Sequence, residues 1–65
     1  MSGKSTDTEG VIVEFTQVGG QVKVTAIDTK SGREVSMIGT LQTSQKELSR
    51  LAVRKLKYVM EKEAK

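Results

Sequence analysis

The chain has 65 residues, 35% of them hydrophobic, with one Phe, one Tyr, no Cys and no His. That length fits one compact domain with a thin core, and the missing Cys and His exclude disulfides, zinc sites and His- or Cys-based catalysis. The formal net charge of +3 is concentrated in one segment: between Gln45 and Lys65, seven basic residues stand against three acidic ones.

Met1 to Glu9 is polar throughout. With nothing to bury, residues 1–9 read as a disordered leader and residues 10–65 as a single folded domain. The leader has no apolar centre of the kind a signal peptide needs. No run approaches the roughly 18 apolar residues of a membrane span. The expectation is therefore a cytoplasmic protein with no membrane partner.

Val11 to Val18 is rich in β-branched residues and alternates, placing Val13 and Phe15 on one face and Glu14 and Thr16 on the other. Gly19-Gly20 then tolerates the positive φ of a two-residue hairpin turn. Gln21 to Asp28 alternates again, with Val22, Val24 and Ala26 opposite in sense to Lys23 and Thr25. Folding about the glycines sets Phe15 against Val24, Val13 against Ala26 and Ile12 against Ile27, so every apolar residue meets a neighbour on its own face. Asp28 to Gly32 is a second turn, since Asp can bind amides two residues on and Gly supplies the left-handed closing position. Arg33 to Ile38 returns as a third strand, with Val35 and Met37 facing the core and Gly39 ending it.

Ser44 and Glu47 have the S-x-x-E spacing of a capping box, in which each side chain satisfies the other's free amide. The helix that follows carries Leu48, Leu51, Ala52, Leu56, Val59 and Met60 at three- and four-residue steps. Tyr58 borders that stripe. The predicted fold is α+β: a three-stranded antiparallel sheet in the order 1-2-3, covered on one face by a single C-terminal helix, β-β-β-α.

These elements offer no catalytic constellation. The carboxylates are scattered over element surfaces, and the Ser and Thr residues sit in leader, turns and cap. A non-enzyme is expected, with no cofactor and no small-molecule substrate. Gly19-Gly20 joins two antiparallel strands and opens no helix, so a hairpin turn accounts for it better than a phosphate cradle.

Two surfaces carry functional colour. Lys46, Arg50, Arg54 and Lys57 line the back of the helix; they are either a solvated face or a phosphate-contacting stripe for weak, sequence-nonspecific nucleic-acid binding. With one Phe and one Tyr the sheet cannot offer the aromatic platform of sheet-based RNA modules. On the sheet face away from the helix, Ile12, Ile27 and Ile38 are scattered surface residues or a protein contact, including a weak homodimer. The leading expectation is a small interaction module with an unknown protein partner.

The run from Val22 to Asp28, followed by Gly32-Arg33-Glu34-Val35-Ser36, resembles a family of small uncharacterised bacterial proteins of about this length. That resemblance implies a fold and no activity. A second likeness is to the β-β-β-α half of double-stranded-RNA-binding domains, whose last helix opens with a similar arrangement to Ser44, Lys46, Glu47, Ala52, Lys55 and Leu56. It implies RNA contact at Lys46. Here that family's first helix is absent, and Gln45 and Ser49 stand where it has further lysines.

Overall fold

The computed structural model describes residues 3–8, by their backbone, and residues 10–63 in full. The elements in chain order are β1 (Gly3–Thr8), β2 (Val11–Val18), β3 (Gln21–Asp28), β4 (Glu34–Thr40) and α1 (Gln45–Glu63). The three expected strands and the C-terminal helix are all present, and those strands lie side by side in the expected order. The pairing of β2 with β3 follows the predicted register, with Phe15 opposite Val24, Val13 opposite Ala26 and Ile12 opposite Ile27.

The sheet has a fourth strand, β1, antiparallel to β2 at its free edge. The expectation of a disordered leader is corrected over Gly3–Thr8; residues 1, 2 and 9 lie outside the described residues. Gly10, at φ 82°, turns the chain so that Thr8 stands opposite Val11. The reason for the strand lies in β2. Val11, Val13 and Phe15 are buried at 4%, 0% and 6% exposure, and their backbone groups point away from β3. A buried backbone group needs a partner, and any extended segment can supply one whatever its side chains.

The core joins Val11, Val13, Phe15, Val24 and Ala26 of the sheet to Leu48, Ala52 and Leu56 of the helix. Val22, Val35, Met37, Val53 and Met60 pack around it. Leu51, expected in the apolar stripe, is left exposed at 36%. The helix lies over β3 and β4 and reaches β2, and its backbone does not come close to that of β1. It runs antiparallel to β4, with Leu48 against Gly39 at one end and Glu63 paired with Arg33 at the other.

Gly39 does not end β4. It pairs with Val22 inside the strand, which continues to Thr40. A Cβ built there would stand 2.5 Å from Leu48 Cδ2, so glycine at this position lets the helix seat its first buried leucine. The capping box is formed in one direction. Ser44 Oγ accepts from the Glu47 N–H at 3.1 Å, whereas Glu47 Oε1 accepts from Arg50 Nη2 at 2.6 Å.

The β3–β4 turn is built on Asp28. Its Oδ2 accepts from the Ser31 N–H at 2.8 Å and the Ser31 hydroxyl at 2.7 Å, and Gly32 closes the loop at φ 79°. These bonds favour the charged form, and the Ser31 hydroxyl above all holds the Asp28 carboxyl below the ordinary aspartate range.

Candidate interaction surface

No charged or polar residue is buried among the described residues, and no group of three or more Asp and Glu is placed to hold a metal. What remains are surfaces, and the helix divides them.

The helix back is as the periodicity places it. Lys46, Arg50, Arg54 and Lys57 are all exposed, on the side of α1 turned away from Leu48, Ala52 and Leu56. They are not electrostatically equal. Arg50 is held by Glu47 in an ion pair three residues apart. Lys46 and Arg54 make no ion pair with the described residues. Exposed pairs of this kind are worth ~1 kcal/mol or less, but each one offsets a positive charge that a phosphate would otherwise meet. Lys55 faces elsewhere: its Nζ donates to the Ser36 carbonyl of β4 at 3.0 Å.

The open face of the sheet is the second surface. Ile12 stands opposite Ile27, and Ile27 opposite Glu34. Both isoleucines are half-buried, although the helix covers the other face. The next row along the strands is Glu14, Thr25 and Ser36, in which the Thr25 and Ser36 hydroxyls bond at 3.1 Å. Beyond it Ile38, 56% exposed, stands opposite Lys23. The structure thus brings Ile12 and Ile27 together and separates Ile38 from them by a polar row.

Sequence reasoning missed Leu41 and set Tyr58 only at the border of the apolar stripe. Leu41 follows β4 with 51% exposure, and Tyr58 is 59% exposed with Lys62 Nζ 5.5 Å from its ring centre. Lone apolar residues outside a periodic pattern carry no signal in one dimension. Only the position of the helix over β4 sets them at one side of the molecule.

Residues 8–63 match the model of a protein family described as "Domain of unknown function (DUF6898)". The chain belongs to that family. The match spans β2, β3, β4 and α1, so the DUF6898 domain is the helix-covered sheet itself. No curated protein and no solved structure matches the chain. In this DUF6898 domain no helix among the described residues is long and apolar enough to cross a membrane, which says nothing of a β-barrel.

Proposed function

We propose that this DUF6898 domain is a small, non-enzymatic protein-interaction module of the cytoplasm, and that it binds through its sheet. The observation that supports the reading is the sheet face away from the helix, where Ile12 and Ile27 pair across β2 and β3 and no element among the described residues packs over them. A domain this small buries little apolar surface for its size, so a partner that covers such a pair adds to its stability. Capture from extract of the native cell, with and without nuclease, tests the reading. A protein that is retained after nuclease and lost with Ile27→Lys is expected. Retention that depends on nucleic acid would count against it.

A second reading rests on a different observation, the exposure of Lys46, Arg50, Arg54 and Lys57 on one side of α1. It is weak nucleic-acid binding without sequence preference, in keeping with the likeness to double-stranded-RNA-binding domains at Lys46. With Glu47 on Arg50, two or three phosphate contacts are the most that can form at once, so affinity for duplexes should fall with salt at a log–log slope of about −2 to −3. Short double-stranded RNA at low salt, titrated with the original and with Arg50→Glu/Arg54→Glu, decides it. Equal binding by both proteins, or none by either, leaves the helix back a solvated face.

A further inference from the structure

β4 is the last strand of the sheet, and the alternation of its hydrogen bonds decides which backbone groups it offers to solvent. The Asp28 N–H donates to the Arg33 carbonyl at 2.8 Å, and in an antiparallel pair bonded and outward residues alternate. Val35, Met37 and Gly39, opposite Ala26, Val24 and Val22, therefore bond to β3. Glu34, Ser36 and Ile38 turn their backbone groups outward, as Thr40 does its N–H, while the Thr40 carbonyl accepts from the Thr43 N–H at 3.3 Å. The Ser36 carbonyl agrees, since it is the one that Lys55 Nζ reaches.

Such an edge is a template for another strand. Its surroundings are apolar. Of the five large apolar side chains exposed among the described residues, Val18 alone lies elsewhere. Ile38 is in β4 and Leu41 follows it. Leu51 and Tyr58 lie four residues before and three after Lys55, on the helix flank that overhangs the edge.

We propose that β4 pairs antiparallel with β4 of a second copy of this chain, so that two sheets join into one and the helix flanks meet across the two-fold axis. This contact lies at the β4 edge, apart from the Ile12–Ile27 pair of the reading above, and does not depend on it. Charge selects the register. Leu48 lies against Gly39 and Lys55 over Ser36, so a two-fold axis at Ser36 would set Lys55 against Lys55. An axis at Met37 would set Lys55 against Leu51. An axis at Ile38 sets Ile38 on Ile38 and Leu51 on Leu51. It also brings Lys55 of each copy to Glu47 of the other, because the two residues stand four before and four after Leu51 on the same flank. In this register Ile38 exchanges backbone bonds with its own counterpart, and Ser36 stands opposite Thr40. Lys55 leaves the Ser36 carbonyl, whose place it had held, and the Thr40 N–H of the second copy takes over. A self-complementary patch of this kind is what an isologous interface requires.

Sedimentation equilibrium of the whole chain, carried to ~1 mM so that even a weak dimer is populated, tests the proposal. A dimer is expected, with Ile38 amide exchange slowing as concentration rises. Leu51→Lys should raise the dissociation constant at least ~10-fold, as loss of a central apolar contact does. Lys55→Glu should weaken the dimer, and Lys55→Glu with Glu47→Lys should restore it, with circular dichroism confirming that the helix persists. Ile27→Lys should leave it unchanged. A chain still monomeric at the highest concentration overturns the proposal and leaves the wider interaction reading to the capture experiment. A dimer broken by Ile27→Lys but not by Leu51→Lys also overturns it, and places the contact on the open sheet face instead.

Discussion

The two edges of the sheet are built by different means. β4 sends alternate residues, Val35 and Met37, against the core, admits the helix through Gly39, and is tied to α1 by Lys55 on Ser36 and Glu63 on Arg33. β1 is Gly-Lys-Ser-Thr-Asp-Thr, without one apolar residue, and the helix backbone does not come close to its own. Side-chain burial holds β4 in place, so its stability resides in packing against α1. β1 is held through the backbone groups that β2 presents to it. A strand can therefore belong to a sheet for reasons its own side chains do not record.

The largest test of that contrast falls on the helix that covers one edge and not the other. Leu56 is fully buried among core residues, and Leu56→Ala should cost about 2–5 kcal/mol in denaturant unfolding. A cost below ~1 kcal/mol, the range of an ordinary surface change, would mean that the helix does not anchor the β3–β4 side.

Gly39→Ala should come next. The new methyl must displace Leu48, at a cost of about 1–3 kcal/mol for overpacking. The same change in a Leu48→Ala background should cost much less, because the obstructing side chain is gone. Additive effects of the two substitutions would refute the close approach.

On the other edge, Thr6→Pro removes one amide from the strand opposite Val13. Its cost should be about 1 kcal/mol, the net worth of one hydrogen bond. Hydrogen exchange should show β1 opening without the rest of the domain. A loss as large as that of Leu56→Ala would show β1 to be part of the cooperative core.

The smallest effect concerns the β3–β4 turn. Because the Asp28 carboxyl is lowered by its Ser31 bonds, the ionised form is favoured in the folded state. Its stabilising contribution is complete above the ordinary aspartate pKa and is lost as pH falls through the lower native value. Asp28→Asn should flatten stability against pH in that acid window only, as followed by thermal melts. An unchanged acid limb would mean that the turn does not use the charge.

Much of this was legible in one dimension. Val13, Phe15, Val24 and Ala26 alternate around Gly19-Gly20, so pattern and turn agree on one register, and Ser44 followed by the spaced leucines marks where a helix starts and which side it buries. The basic helix back was legible for the same reason. The pairing of Ile12 with Ile27 followed from the hairpin alone.

What the sequence by itself determined is whatever depends on period and turn chemistry: β2, β3, β4, the helix and their order. Tertiary structure decided the rest. It recruited a polar segment as β1, because buried backbone groups of β2 need partners and backbone pairing is indifferent to side chains. It ran β4 through Gly39, because Leu48 needed the space. It left Leu51 and Tyr58 exposed at the β4 edge, because a helix seated over β3 and β4 overhangs the last strand and no described element lies beneath that flank.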